Sequence, residues 1–420
     1  MATNFATSIG AARHSAATVG LSHTPAPVLE QPIVSRWPVF DADEIDAVDE
    51  VLRSGRVNAL HHGDHTKAFE SAFAQRMAMP HAIAVANGTL ALELALHALG
   101  IGPGDEVIVP ARSFVASASC VAAVGARIVF ADVDPDTQGL TARSVGAALT
   151  PRTRAVIVVH IAGWPCEVEA IAELTRALGL KLIEDCAQAH GATLGGRPAG
   201  SFGDAAAFSF CTDKIMSTGG EGGMLLLRDE SVWAAAWSRK DHGKSPSYAS
   251  ISAPPGVFRW LSERLGSNYR LTEMQAAIGR LQLVKLDHWV SQRRANAERM
   301  NRALAGLPGV RLTLPPPDVG HAYYKYYAFL RPDALRHGWS RDRVLARLVA
   351  AGIPAGSGIC PEIYRERAFA DSPSRPPVAL PTCRTLGETS MMFPVDPTLD
   401  AAEVEAMGAA TADIIAEATV

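Results

Sequence analysis

The stretch FSFCTDKIMSTGGEGGMLLL, residues 208–227, places a single lysine, Lys214, between two apolar runs. Two glycine pairs flank an acidic residue between this lysine and the second run. A solvent-exposed lysine in a surface turn is the simplest interpretation. The glycines permit a second interpretation, in which the lysine lies beside a bound group, because a backbone without Cβ atoms can approach such a group closely. The rest of the sequence decides between these two interpretations.

The composition is that of a globular protein. The chain has 420 residues, of which 48% are hydrophobic and 20% charged, so it can form a large core. Its formal net charge of −4 provides no basic field for nucleic acid or an anionic membrane. No apolar run approaches the roughly 18 residues of a transmembrane helix.

Cysteine usage and the amino terminus indicate the compartment. Six cysteines are spread along the chain without a CxxC pair, which predicts reduced thiols in a cytoplasmic protein. Residues 1–30 are rich in Ala, Thr and Ser. They predict a disordered tail, with a cleaved targeting segment as the alternative.

From about residue 40 onward, helical and strand patterns alternate. Short strands that are apolar on both faces, such as DEVIVP (105–110) and RAVIVVH (154–160), are separated by helical stretches. This pattern predicts an α/β fold with a mostly parallel sheet covered on both sides. We expect a large domain over residues 31–289 and a smaller α+β domain over residues 290–420. Ligands of such sheets bind at the carboxyl ends of the strands.

An acidic residue ends one of these strands. LKLIED, residues 180–185, terminates in Asp185, and Gln188 follows three residues later. A carboxylate at the end of a buried strand needs a cationic or hydrogen-bonding partner. A helix cap or an ion pair is the simpler explanation. Metal binding by Asp185 with His190 is a poor one, because only two ligands are in view, and we expect no metal.

A candidate anion site lies at ANGT, residues 86–89. Asn87, Gly88 and Thr89 precede a helical pattern, whose free amides and positive dipole end attract anions. Helix capping by Asn87 or Thr89 explains the same residues equally well. Together, a lysine between strands, an acid ending a buried strand and an anion-binding helix start are the three anchors that pyridoxal phosphate requires.

Five segments carry a resemblance to a known family: FSFCTDKIMSTGGEGGML (208–225), EDCAQAHGA (184–192), ANGTLALELAL (86–96), GDEVIVPARSFVASA (104–118) and GSNYRLTEMQAAIGRLQL (266–283). Together they resemble the DegT/StrS-type sugar aminotransferases, which have the fold-type I, aspartate aminotransferase-like architecture. The resemblance spans roughly residues 35–415.

The resemblance implies roles for individual residues. Lys214 would form the covalent bond to the cofactor aldehyde, and Asp185 would pair with its pyridine nitrogen. The remaining cofactor-binding residues would be Gln188 near the ring hydroxyl, Phe114 stacked on the ring, and Gly88, Thr89 and Ser209 at the phosphate. In related enzymes two subunits share the site, which implies a homodimer in which Asn268 reaches the cofactor phosphate of the partner chain. Helix capping near Asn268 is the simpler alternative.

The resemblance also implies an activity: transfer of an amino group from L-glutamate or glutamine to a keto-sugar, nucleotide-linked, in amino-sugar biosynthesis. Family dehydratases carry histidine in place of the lysine, so Lys214 favours amino transfer over elimination. A cyclitol or another cyclic ketone is an alternative acceptor, and a cofactor-binding regulatory protein is the non-enzymatic alternative. The intact Lys214, Asp185 and Gln188 favour an enzyme.

Two features depart from the family pattern. The segment at residues 244–265 is long and could form a loop over the site. Tyr324 and Lys325 stand where family members often carry histidine and an apolar residue. We expect both residues to contact substrate, with Lys325 meeting a carboxylate or phosphate. A solvated Lys325 is the alternative.

Overall fold

The fold is given by a computed structural model that describes residues 29, 31–60, 63–249 and 260–420. The expected tail at residues 1–30 lies outside the described residues, except for residue 29. The centre of the long segment, residues 250–259, also lies outside them, so the hypothesis of a loop over the site stays a prediction. Within the described part of the chain, no helix is long and apolar enough to cross a membrane.

The helices of the described residues are numbered in chain order: α1 Ala42–Ser54, α2 Asp64–Arg76, α3 Gly88–Ala98, α4 Ala116–Ala123, α5 Ala142–Ala148, α6 Val168–Ala177, α7 Glu230–Lys240, α8 Pro246–Ala249, α9 Glu273–Leu304, α10 Arg341–Ala350, α11 Pro381–Thr389 and α12 Ala401–Ala418. The strands are numbered likewise: β1 His81–Val85, β2 Glu106–Pro110, β3 Arg127–Ala131, β4 Thr153–Val159, β5 Lys181–Asp185, β6 Thr193–Leu194, β7 Arg197–Pro198, β8 Ala205–Ser209, β9 Gly223–Leu227, β10 Val310–Arg311, β11 Val319–Gly320, β12 Tyr326–Leu330 and β13 Ser390–Phe393.

A seven-stranded sheet forms the centre of the molecule, in the order β1-β9-β8-β5-β4-β2-β3. Strand β9 runs antiparallel to both of its neighbours, and the remaining pairs are parallel. The prediction of a mostly parallel sheet is therefore confirmed. The carboxyl ends of β5 and β8 lie side by side because Asp185 pairs with Ala207.

Both faces of this sheet are buried, as its continuous apolar runs predict. Val107 and Val109 of β2 pack into one cluster, with residues of α3 and α4. Ile108, between them, packs into a different cluster with residues of α5 and α6. Successive side chains of a strand point to opposite faces. A strand that is buried at every position therefore requires a covering layer on both sides.

The carboxyl-terminal part contains a three-stranded antiparallel sheet, β10-β12-β13, packed with α9, α10 and α12. Helix α9 is continuous over 32 residues and passes through the boundary expected at residues 289/290. The amino-terminal segment also joins this part: Ile33 lies in its core and donates to the Gly352 carbonyl at 2.9 Å. The division into two domains stays a prediction.

The strand pattern in HAYYKYYAFL, residues 321–330, is realised only from Tyr326 onward. Before it, Tyr323 has a φ of 48°, which is unusual for a residue other than glycine. The Ala322 and Tyr324 amides bond to the Gly163 and Ala162 carbonyls, at 2.9 and 2.8 Å. These bonds to a turn of the large sheet keep residues 321–325 out of the small sheet.

Candidate active site

Lys214 lies in the loop between β8 and β9, at the end of the central sheet where the parallel strands terminate. Its amide donates to the Cys211 carbonyl at 3.0 Å, and its own carbonyl accepts from Trp37 Nε1 at 2.7 Å. The side chain is only 17% exposed. Lys214 is therefore not a surface lysine, and its backbone is held from both directions.

The glycines after Lys214 allow close approaches within the protein itself. Gly222 has a φ of 159°, and a Cβ on it would lie 2.1 Å from Thr218 Oγ1. A Cβ on Gly223 would lie 2.5 Å from the Asn87 backbone. The sequence suggested that these glycines make room for a cofactor. In the structure they let β9 begin directly against the start of α3.

Asp185 ends β5 and is buried. Its Oδ2 accepts from the Ser117 hydroxyl at 2.7 Å, and its Oδ1 accepts from the Ala187 amide at 3.1 Å. Burial raises the pKa of this carboxyl, and the bonds from Ser117 and Ala187 only partly oppose that effect. A carboxylate with incomplete compensation favours a cationic partner.

Helix α3 presents free amides to the same region. The Asn87 side chain caps the helix by accepting from the Leu90 amide at 2.9 Å. Within the described part of the chain, the Gly88 and Thr89 amides have no acceptor. Ser209 at the end of β8 lies against Gly88, since a Cβ there would be 2.7 Å from the Ser209 Cβ. The structure therefore brings together the three residues expected at the phosphate.

Phe114 and Gln188 each follow a parallel strand of the central sheet, β2 and β5 respectively. Phe114 lies between β2 and α4 and is 62% exposed, so its side chain is accessible to a ligand. Gln188 is buried after β5, and its Oε1 accepts from the Ala162 amide at 2.8 Å. Ala162 has a φ of 58°, in the tight turn that also receives residues 322 and 324.

Tyr324 and Lys325 approach Lys214 from the carboxyl-terminal part. The Lys214 and Lys325 Nζ atoms lie 5.0 and 5.1 Å from the Tyr324 ring centroid. The Tyr324 hydroxyl donates its hydrogen bond to Asp213. That hydrogen is therefore not available to a substrate, although the sequence predicted a substrate contact for Tyr324. Burial, together with Arg293, lowers the pKa of Lys325. Lys325 is therefore not a freely solvated lysine.

Asn268 lies in the segment that precedes α9. It is exposed and pairs with Asp241, and its Oδ1 accepts from the Arg270 amide at 3.4 Å. The next residue, Tyr269, accepts from the Ala86 amide at 2.9 Å. Asn268 therefore borders the segment leading into α3, where an exposed side chain is accessible to its own chain or to a partner. The cap of the following helix is Thr272, which accepts from Gln275 N.

Three residues of this region are not predicted from the sequence. Ser117 bonds to Asp185, and Ser113 lies 2.9 Å from Ser117, so a hydroxyl chain runs back toward Phe114. The four-residue spacing of the two serines, the second of which lies in α4, was the available signal. Asp213 gave no signal beyond its position next to Lys214.

His160 supports the strand that carries Asp185. Its amide donates to the Asp185 carbonyl at 3.2 Å, and its Nε2 lies 3.0 Å from a Glu184 carboxylate oxygen. Glu184 also accepts from the Gly200, Phe202 and Gly203 amides. These bonds use the Glu184 oxygens, so the His160–Glu184 pair fixes β5 rather than offering ligands.

Comparison with known proteins identifies the class. The family model for DegT/DnrJ/EryC1/StrS aminotransferases matches residues 38–411. A crystal structure of the aminotransferase from Psychrobacter cryohalolentis superimposes with a TM-score of 0.89 and 45% sequence identity, covering 91% of this chain and 99% of that one.

Two characterised relatives carry more specific names. The dTDP-4-dehydro-2,3,6-trideoxy-D-glucose 4-aminotransferase of Saccharopolyspora spinosa is 36% identical over 374 residues, covering 87% of this chain and 92% of the relative. The GDP-perosamine synthase of Caulobacter vibrioides is 39% identical over 318 residues, covering 75% and 81%.

The fold and these matches define a pyridoxal phosphate-dependent transferase of fold type I, which confirms the fold class expected from the resemblance. The chain belongs to the DegT/DnrJ/EryC1/StrS aminotransferase family. It is therefore a pyridoxal phosphate-dependent aminotransferase.

The residues present fit this cofactor. The undercompensated Asp185 carboxylate suits a cationic ring nitrogen, and the unpartnered Gly88 and Thr89 amides suit a phosphate. Lys214 supplies the primary amine that an aldehyde requires. These three groups lie together where the carboxyl ends of β5 and β8 approach the start of α3.

Proposed function

We propose that Lys214 is the catalytic amine of this enzyme. The enzyme moves an amino group from L-glutamate or glutamine to a nucleotide-linked keto-sugar. The observation that carries the proposal is the meeting of Lys214, buried Asp185 and the free amides of α3 at one edge of the sheet. Each of the three has a simpler explanation alone. Their convergence does not.

The protein groups have separate tasks. When bound, the cofactor supplies an electron sink beside the nitrogen that is transferred. The Lys214 amine takes a proton from the substrate carbon and returns it, as general base and then acid. Asp185, fixed by Ser117, would keep the ring nitrogen protonated. Gly88, Thr89 and Ser209 would bind the phosphate, Phe114 would cover the ring, and Gln188 would lie near the ring hydroxyl.

The relatives support the acceptor class. One is named for a dTDP-linked dehydro-sugar and the other for a GDP-linked amino-sugar. Both names contain a nucleoside diphosphate, although the nucleotides differ. A nucleotide-linked keto-sugar is therefore the acceptor class that we propose for this chain.

A two-stage assay tests this proposal. Glutamate is added to the purified enzyme first, and loss of the coloured cofactor form, with release of 2-oxoglutarate, is expected. A panel of keto-sugar nucleotides is added next, and a true acceptor restores the colour. Recovery only with nucleotide-free cyclic ketones would reassign the acceptor class. No response to glutamate, or to glutamine in a parallel run, would contradict amino transfer.

We propose further that the active unit is a homodimer in which Asn268 serves the partner's phosphate site. Its exposed side chain and its place beside the segment entering α3 support this arrangement. Because Asn268 could also serve its own chain, the two possibilities need an experiment that separates them.

Mixing two inactive variants makes that separation. In a mixed dimer of Lys214→Ala and Asn268→Ala chains, a shared site combines the intact lysine of one chain with the intact asparagine of the other. We expect up to about half of the wild-type activity per dimer, as independent sites add. Activity is measured on mixed dimers isolated with two different affinity tags. A folded mixed dimer no more active than its parents would contradict the shared-site model.

Lys325 is expected to bind an anionic group of the acceptor. No carboxylate lies within ion-pair distance of its ammonium in the described residues, and the group is half-buried. Replacing Lys325 by alanine should raise the acceptor KM by about 10- to 100-fold, the worth of a charged hydrogen bond. The glutamate half-reaction should change little. The exposed Lys67→Ala variant is the matched control, and an unaltered acceptor KM would remove Lys325 from the substrate site.

A further inference from the structure

The residue before Lys214 forms a contact that the roles proposed above do not use. The Asp213 Oδ1 atom lies 3.5 Å from the Lys214 Nζ atom. The other carboxylate oxygen accepts a hydrogen bond from the Tyr324 hydroxyl. The two oxygens of one carboxylate thus contact two different elements, one of which carries the reactive amine.

Tyr324 is a rigid anchor for this carboxylate. It is only 7% exposed, and its amide donates to the Ala162 carbonyl at 2.8 Å. Its own carbonyl accepts from the buried Arg293 at 3.2 Å. The Asp213 side chain is 54% exposed, so burial does not immobilise it. Its orientation depends on the phenol.

Other titratable groups also act on this pair. Asp185 and His190 interact electrostatically with Lys214, and Cys211 and Lys325 interact with both Lys214 and Asp213. Burial lowers the pKa of His190 to about 3, so this ring is neutral at physiological pH. Partial burial opposes ionisation of Asp213, yet the Lys214 ammonium and the Tyr324 hydroxyl hold its pKa below the usual range. Asp213 is therefore a carboxylate beside Lys214 at neutral pH.

We propose that Asp213, oriented by Tyr324, is a positioning residue that holds the Lys214 ammonium whenever the lysine is not bonded to the cofactor. The proposal rests on the function proposed for Lys214. A released lysine side chain has many rotamers, and an oriented carboxylate restricts them.

The pair can be tested without turnover. Full-length protein is loaded with pyridoxamine phosphate, which has no aldehyde and leaves Lys214 free. Brief acetylation at a series of pH values, followed by mass spectrometry of the Lys214 peptide, measures the reactive unprotonated amine. We expect Asp213→Asn to shift this profile toward lower pH, because the ammonium loses its carboxylate. Labelling at neutral pH should rise about 3- to 10-fold, a modest change for a half-exposed pair.

Two further variants define the mechanism. Tyr324→Phe keeps the charge and removes the anchor, so it should shift the profile in the same direction by less. Glu221→Gln removes an exposed carboxylate from the same loop and should leave the profile as in the wild type. Circular dichroism verifies that each variant is folded.

The turnover assay completes the test. Asp213→Asn should slow the glutamate half-reaction about 10-fold and move its pH profile in the direction seen in the labelling, with cofactor binding retained. Identical labelling profiles for wild type and Asp213→Asn would overturn the proposal, and Tyr324→Phe provides the same test if Asp213→Asn does not fold. An active Lys214→Ala enzyme would refute the proposed function instead, and the labelling result would still stand.

Discussion

The Lys214→Ala variant is expected to lose amino transfer by about four orders of magnitude, the upper range for removal of a general acid–base group. The Lys214 side chain is only 17% exposed, and its backbone is held by both Cys211 and Trp37. Alanine removes the amine without disturbing those backbone bonds. The variant should therefore still bind pyridoxal phosphate. Stopped-flow absorbance on addition of glutamate measures the loss.

Chemical labelling gives an independent view of the same residue. Borohydride should fix the cofactor to the peptide containing Lys214 in the wild type and in an exposed-lysine control, Lys67→Ala. Mass spectrometry of the digested protein locates the label. A cofactor fixed to a different lysine, or an active Lys214→Ala enzyme, would rule out the assignment.

The Asp185→Asn variant should fold normally and lose about 10²- to 10³-fold in turnover, the scale for removing one electrostatic partner of a developing charge. The asparagine oxygen can still accept from the Ala187 amide, and its NH2 group can donate to the Ser117 hydroxyl, so both hydrogen bonds of the wild-type side chain have replacements. It lacks the charge that keeps a ring nitrogen protonated. Single-turnover rates with glutamate report this loss directly.

A matched substitution separates charge at the site from charge in general. Asp49→Asn removes an exposed carboxylate from α1, where its partner is Arg53, and should leave turnover unchanged. Thermal unfolding of both variants checks stability. Near-normal turnover of a folded Asp185→Asn enzyme would assign Asp185 a purely structural task.

The sequence predicts the central sheet well because each strand is encoded by a short run of consecutive apolar residues. Strands such as β2 and β8 have five buried positions in a row, which only a sheet covered on both faces accommodates. The reversal of β9 is not local, because it depends on Gly223 packing against Asn87, 136 residues earlier in the chain. The short strand at Tyr326 likewise depends on a turn at residues 162–163.

The same distinction applies to the candidate site. Asp185 and Gly88 are readable from the sequence because each ends or begins an element that composition defines. The Asp213–Tyr324 contact joins residues 111 positions apart, and neither local pattern predicts it. The Ser117–Asp185 bond, across 68 positions, is similar. The family resemblance names residues with shared roles, whereas these contacts require the packed chain.

The amino-terminal segment has a mechanical consequence. Ser35 donates to Asp396 at 2.7 Å, and two residues later Trp37 donates to the Lys214 carbonyl. The Trp37 ring meets Trp289 edge-on with centroids 5.0 Å apart. Residues 35–37 thus tether the carboxyl-terminal part to the peptide that carries the lysine. Displacement of the carboxyl-terminal part relative to the sheet would therefore strain the contacts of residues 35–37. An amino-terminal affinity tag that displaces these residues would be expected to lower activity, because Trp37 contacts the Lys214 backbone.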